Sequence, residues 1–250
     1  MFENELILAI DSVRLAGDYL KKRIDIKITQ QYEKDTKLSS DKESERLILN
    51  NLKKTGFKIL SEESGLLEGQ NEYCWIVDPL DGTVNYLRGI DEFACVSIAL
   101  WKNNEPVLGV INRFRTDELF CGVVDVGAYL NGDAIKTSEI GKTEQAIIAT
   151  GFPINRDYSS QGLFTFIKQV QLFKKVRMFG SAALMATFVA TGRVDAYFED
   201  KIMLWDVAAA MAIVRAAGGV LCYEIFDDYT CNCRIFANQG IMEDYNVKSI

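Results

Sequence analysis

The chain has 250 residues, 48% of them hydrophobic, with 28 Lys and Arg against 35 Asp and Glu (net charge −7) and no histidine. That length and apolar content support a substantial core in one large domain or two lobes, and the absence of any basic block argues against electrostatic binding of a nucleic-acid polymer. Without histidine, Ser-His-Asp and Cys-His chemistry and His-ligated metals are excluded, so carboxylates, hydroxyls, lysine or a metal-activated water must carry any catalysis. No apolar run approaches the roughly 18–20 residues of a membrane span. The first five residues lack the basic and long apolar regions of a signal peptide. The expectation is a soluble cytoplasmic protein without a membrane partner, its six cysteines reduced.

In chain order, residues 5–22 read as an amphipathic helix with Leu6, Ile10, Val13, Gly17 and Leu20 on one face. Residues 24–28 alternate like a short strand, and 30–37 are polar and loop-like. Ser40-Asp41-Lys42-Glu43 matches a capping box, so a helix starts there and runs to about residue 54. Asp41 either complements that helix dipole or faces a functional site. A short strand over 57–60 leads into Ser61-Glu62-Glu63-Ser64-Gly65. Side chains alternate along extended backbone, so Glu62 and Glu63 cannot both point inward: either one is a ligand and the other solvated, or both are surface charges.

The next stretch, Trp75-Ile76-Val77-Asp78-Pro79-Leu80-Asp81-Gly82-Thr83-Val84-Asn85-Tyr86, organises the rest. An apolar run enters it as a buried strand. Asp78 is expected at the strand's end, because Pro79 has no N–H for further pairing. Asp81-Gly82-Thr83 reads as a turn into a short helix with Asp81 near its N-cap. Two carboxylates three residues apart then lie beside free backbone N–H groups, which suit an anion such as phosphate. Carboxylates and phosphate repel unless a cation lies between them, so the stretch suggests a divalent metal carrying a phosphate. An ordinary Asp-Pro turn remains the alternative.

Residues 93–101, 106–113 and 118–124 form a β-rich meander, and Asn131-Gly132-Asp133 is a hairpin turn. Beyond it, strand and helix alternate: strand 146–150, helix 158–173, strand 175–178, a helix beginning at Gly180-Ser181-Ala182-Ala183 and ending at Gly192, strand 194–198, and a helix opened by Trp205-Asp206 and ended by Gly218-Gly219. The small residues after Asp206 let that helix pack closely on a neighbour. Two lobes, 1–140 and 141–250, follow, with a soft boundary. Cys231-Asn232-Cys233 has no second pair and no histidine beside it, which argues against zinc.

Taken together, Glu62-Glu63, the 78–86 stretch and Trp205-Asp206-Val207-Ala208-Ala209-Ala210 resemble the inositol monophosphatase family of metal-dependent, lithium-sensitive phosphatases. Gly180-Ser181-Ala182-Ala183, Asp195-Ala196-Tyr197-Phe198-Glu199 and Ala216-Ala217-Gly218-Gly219-Val220 support the match, which spans nearly the whole chain. The resemblance implies a mixed α+β fold, a layered αβαβα sandwich, with two or three Mg²⁺ ions. It places one ion on Glu62, Asp78 and the Leu80 carbonyl, a second on Asp78, Asp81 and Asp206, and a third touching Glu62. Thr83, Asp41 and Glu62 are the implied catalytic residues. Asp81, Gly82, Thr83, Ser181, Ala182, Glu199 and Asp206 are the implied substrate contacts, with the Gly82 and Thr83 N–H groups on the phosphate and Ser181, Ala182 and Glu199 on the alcohol. A homodimer is implied as well. The chain departs from the family in lacking a threonine just before Asp41 and in carrying Ala210 where glycine is usual. The expected activity is hydrolysis of inositol monophosphate or a related sugar phosphate. A 3′(2′),5′-bisphosphate nucleotidase, a fructose-1,6-bisphosphatase and a catalytically silent binding protein are the alternatives.

Overall fold

Apolar residues spaced three and four apart set the first layer. The computed structural model describes residues 2–24, 26–31, 36–70 and 72–249. Helix α1 (Glu3–Lys21) buries Ala9, Val13, Ala16 and Leu20. Strands β1 (Ile28–Gln31) and β2 (Thr36–Leu38) pair antiparallel, so much of the segment expected to be a loop is a small hairpin. Residues 32–35 of that expected loop lie outside the described residues, as does Asp25 in the expected strand 24–28. Helix α2 (Ser39–Leu52) packs Ile48, Leu49 and Leu52 against α1.

Strands β3 (Lys58–Ser61), β4 (Gly65–Leu67), β5 (Tyr73–Asp81), β6 (Cys95–Lys102), β7 (Glu105–Arg113), β8 (Glu118–Val123), β9 (Gly127–Leu130) and β10 (Asp133–Ile135) form one sheet in the order β10-β9-β8-β7-β6-β5-β3-β4, with the short helix α3 (Thr83–Arg88) between β5 and β6. Only the β3–β5 pair is parallel. The expected meander and the hairpin at Asn131-Gly132 are present, both turn residues having positive φ. The second half adds β11 (Ile147–Thr150), α4 (Ser160–Val170), β12 (Lys175–Arg177), α5 (Ala182–Thr187), β13 (Ala196–Met203), α6 (Leu204–Ala216), β14 (Val220–Ile225), β15 (Thr230–Phe236) and α7 (Gln239–Lys248). Its sheet has the order β12-β11-β13-β15-β14, parallel at β12-β11-β13 and antiparallel beyond.

Three apolar clusters divide the molecule into layers. The first fills the space between α1, α2 and one face of the larger sheet. The second lies between the two sheets, around α5 and α6. The third joins the outer face of the smaller sheet to α4 and α7. The result is the expected αβαβα sandwich.

Helix α6 approaches the larger sheet closely because both sides are small. A Cβ on Gly109 of β7 would lie 2.1 Å from the Ala209 carbonyl oxygen, and one on Gly122 of β8 would lie 2.7 Å from the Ile213 Cα. The Trp101 indole N–H donates to the Ala208 carbonyl at 3.2 Å across the same contact. Among the described residues no helix is long and apolar enough to cross a membrane. Cys231 and Cys233 are buried on β15 as free thiols.

Candidate active site

The Asp-Pro turn is built differently from its sequence expectation. Strand β5 does not end at Asp78. It pairs on through Asp81, with Asp78 opposite Ser97 and Asp81 opposite Cys95, so three steps on β5 match two on β6. This bulge accommodates Pro79, whose missing N–H is harmless where the ladder is already interrupted. Three bonds fix the bulge: the Leu80 N–H to the Asp78 carboxylate at 3.0 Å, the Ser44 hydroxyl to the Pro79 carbonyl at 2.7 Å, and the Thr83 hydroxyl to the Leu80 carbonyl at 2.9 Å. Gly82 then turns the chain at φ 82°, and a Cβ there would sit 2.5 Å from the Phe93 carbonyl oxygen, so both backbone and space require glycine.

Asp81 does not cap the helix that follows it; Gly82 holds that position. Its carboxylate instead reaches across to α5. It accepts from the Ser181 hydroxyl, from the Ala182 N–H at 3.2 Å and from the Ala183 N–H at 2.9 Å. Ser181 is the N-cap of α5 and accepts from the Leu184 N–H at 3.3 Å. Asn85 tightens the same junction, donating to the Phe93 carbonyl at 2.8 Å and the Phe179 carbonyl at 2.7 Å. The acid-bearing turn of the first half is thus fastened to a helix start of the second.

Helix α2 supplies a third side. Asp41, Ser44 and Glu45 are all buried, at the i, i+3, i+4 spacing that puts them on one face. Asp41 sits in the first turn and accepts from the Leu38 N–H, so it, and not Glu43, closes the capping interaction. Glu45 accepts from both hydroxyls and one amide of Ser61 and Ser64, bracketing the Glu62-Glu63 pair. Glu63 is not solvated: its carboxylate pairs with Lys37 at 2.7 Å. Glu62 faces Asp78 and Asp41.

Glu199 and Asp206 complete the cluster. Strand β13 continues past Glu199 to Met203 through a bulge at residues 200–201, so Glu199 lies within the strand and does not end it. Asp206 opens α6 in its first turn. Asp81, Gly180, Ala182, Glu199 and Asp206 share a cavity of about 290 Å³ that residues 152–155 also line. Gly82 and Thr83 stand at the start of α3, beside Asp81.

The electrostatics follow from crowding. Burial pushes the Glu62 carboxyl up to about 8, with Asp41 and Glu63 adding to the rise and Lys37 opposing it. Asp78 is held well above the usual carboxylate range by burial, then by the charges of Glu62, Asp81 and Asp206. Asp81 is raised by burial despite its bonds from Ser181, Ala183 and Ala182. Burial also lifts Glu199 to about 8. Four neighbouring acids that resist ionisation together are what a divalent cation would relieve. Among the described residues no three acidic or thiol side chains are already closed into a metal cage, and the Asp81 oxygens are turned toward α5. The donor chemistry nonetheless fits: carboxylate and carbonyl oxygens without imidazole suit Mg²⁺ better than zinc.

Lys37, Glu45 and Asn85 had no role assigned from sequence. For Glu45 a signal existed, the 41/44/45 spacing. Lys37 and Asn85 act across 26 and 94 residues of chain, which no local pattern displays.

The profile of the inositol monophosphatase family matches residues 3–240. The chain is 38% identical over 222 residues to the protein named Nus factor SuhB of Xylella fastidiosa, covering 86% of this chain and 80% of that one. It is 38% identical over 230 residues to the protein named inositol monophosphatase 2 of Solanum lycopersicum, covering 86% and 85% respectively. The crystal structure of extragenic suppressor protein suhB from Bartonella henselae superposes with a TM-score of 0.87 at 31% identity, over 99% of this chain and 98% of that one.

Proposed function

The chain belongs to the inositol monophosphatase family, a family of phosphatases, and on that premise we propose that it is a Mg²⁺-dependent phosphomonoesterase acting on inositol monophosphate or a related sugar phosphate. The observation that supports the reading is the gathering of Asp78, Asp81 and Asp206 with Glu62 beside a cavity reached by Glu199, burial raising the carboxyls of Glu62, Asp78 and Asp81 above the usual range.

In this reading Glu62, Asp78 and the Leu80 carbonyl hold one ion, Asp78, Asp81 and Asp206 a second, and Glu62 touches a third. When bound, such ions lower the pKa of water and neutralise a leaving alkoxide. The protein's own groups do the rest. The Thr83 hydroxyl, seated on the Leu80 carbonyl, orients the attacking water, and Asp41 and Glu62 stand nearby as proton acceptors. The N–H groups of Gly82 and Thr83 receive phosphate oxygens at the start of α3. Ser181 and Ala182 border the alcohol, and Glu199 accepts its hydroxyl hydrogens. Lithium sensitivity, a homodimer and a cytoplasmic setting without nucleic-acid or membrane partners belong to the same proposal, the chain's net charge of −7 disfavouring a nucleic-acid polymer.

Phosphate release from a panel of phosphomonoesters with Mg²⁺ tests the reading. Inositol and sugar phosphates should be hydrolysed fastest. Preference for an adenosine bisphosphate or fructose bisphosphate would assign the nucleotidase or bisphosphatase branch. The names of several relatives favour a second reading, a Nus-factor role, with or without catalysis. No turnover on any substrate of the panel would leave that reading alone.

A further inference from the structure

One charged side chain outside the acid cluster is buried with a donor to spare. Arg156 is 8% exposed, and its Nε has no hydrogen-bond partner. The guanidinium lies over the Phe166 ring, 4.3 Å from its centroid, and 5.8 Å from that of Phe152. Phe152 packs edge-on against Phe166 at 5.1 Å. The Tyr158 hydroxyl bridges the carbonyls of Phe152 and Pro153 at 3.0 and 2.9 Å, and the Arg156 N–H donates to the Pro153 carbonyl at 3.1 Å. The loop 151–158 is therefore a closed unit folded around Arg156, and its residues 152–155 wall the cavity.

The loop also touches Glu199 directly. Thr150 pairs with Phe198 across the parallel β11–β13 ladder, and its hydroxyl donates to the Phe198 carbonyl at 2.7 Å. One residue on, a Cβ at Gly151 would lie 2.6 Å from Glu199 Oε1 and 3.3 Å from its Cδ. The Glu199 carboxylate occupies the space that any other side chain at position 151 would need. Burying an isolated guanidinium is unfavourable unless charge or aromatic faces compensate, and here the Phe166 and Phe152 rings do so. The Arg156 charge also favours ionisation of Glu199, from beyond ion-pair distance.

We propose that the bare Cα of Gly151, held in place by the loop that folds around Arg156, positions the Glu199 carboxylate, so that the 151–158 loop, and not the acid-bearing turn, sets which leaving alcohol the site accepts. The proposal rests on the reading that Glu199 faces the alcohol. Other groups face Glu199 and bear on its charge. From its own strand Tyr197 favours the ionised carboxylate, although its buried hydroxyl makes no hydrogen bond, and Asp200 opposes ionisation. From the turn comes Asp81, and from α6 Asp206, which shares the cavity. From β15 come the Cys231 and Cys233 thiols, and Arg234, whose guanidinium donates to the Glu199 carbonyl. Of these, only Arg156 and Tyr197 favour the ionised carboxylate among its leading influences.

The test pairs KM for a sugar phosphate and for an aryl phosphate without ring hydroxyls with the carboxyl ¹³C resonance of Glu199, read by NMR of glutamate-labelled, metal-free protein and assigned by its loss in Glu199→Gln. Gly151→Ala should shift that resonance and raise KM for the sugar phosphate about tenfold or more while leaving KM for the aryl phosphate within about twofold. Arg156→Gln should change the two KM values in the same sense, and Arg156→Lys, which keeps a cation over Phe166, should restore most of the wild-type ratio. An unchanged Glu199 resonance in Gly151→Ala overturns the proposal, as does an equal change of KM on both substrates. If the wild-type protein hydrolyses neither substrate, the functional reading fails, and the Glu199 resonance in the variants still decides whether the loop places Glu199.

Discussion

Asp81 has two tasks that compete for the same oxygens. It accepts three donors from the start of α5, and in the proposed function it also holds an ion. Asp81→Asn separates them. The amide keeps one acceptor but turns an NH₂ toward N–H groups, so the folded state should lose about 1–3 kcal/mol in urea unfolding. Turnover should fall at least 100-fold, about 2.7 kcal/mol of barrier. Turnover within tenfold of wild type, with the stability loss intact, would make Asp81 a helix cap and nothing more. At this scale the sequence displayed the acids and concealed their partners. Asp81 was legible as a turn acid, because Asp-Gly-Thr is local chemistry. Its bond to a helix start 100 residues later was not, since no local pattern reports a contact at that separation. Glu63 is the counterpart: alternation puts it in solvent, and only tertiary placement beside Lys37 buries it in an ion pair.

Elements were legible where period and punctuation agree. The meander, the Asn131-Gly132 turn and the helix opened by Trp205-Asp206 all lie close to where apolar alternation and turn residues put them. Pro79 misled, because a proline ordinarily stops a strand and a bulge is invisible in one sequence. The 200–201 bulge hid the continuation of β13 in the same way. The glycine groove under α6 was half legible: Ala208, Ala209 and Ala210 announce a close approach without naming its partner. Gly109→Ala tests that packing. Its methyl would meet the Ala209 carbonyl oxygen, a backbone atom that cannot swing aside. Unfolding free energy should drop by about 1–3 kcal/mol, measured by urea denaturation. An unchanged midpoint would show that α6 and β7 slide apart freely. Because α6 also presents Asp206, the same variant should lower the rate of phosphate release.

For the molecule as a whole, the layered order was legible through family resemblance and not through periodicity, which says that a sheet has two faces but not what covers each. The layering brings acids from β5, the 61–65 loop, α2 and α6 to one place, and this has a global consequence. Glu62 and Glu199 protonate near 8 in the folded chain against an ordinary 4.5. Between those values the folded state holds protons that the unfolded state has released. Their contribution to the stability of metal-free protein is therefore fully present below about 4.5 and is lost as pH rises through about 8. Thermal unfolding with chelator should show a falling Tm across that window, and Mg²⁺ should raise Tm more at the alkaline end than at the acid end. An equal rise at both ends would mean that the acids do not bind the ion. Whether these acids serve a metal-dependent phosphatase is decided by phosphate release from inositol monophosphate or a sugar phosphate as Mg²⁺ is titrated back into chelator-stripped protein. Negligible release is expected without the ion and a saturable rise with it. Full activity in the stripped protein, or none at any Mg²⁺ concentration on any phosphomonoester, would contradict it.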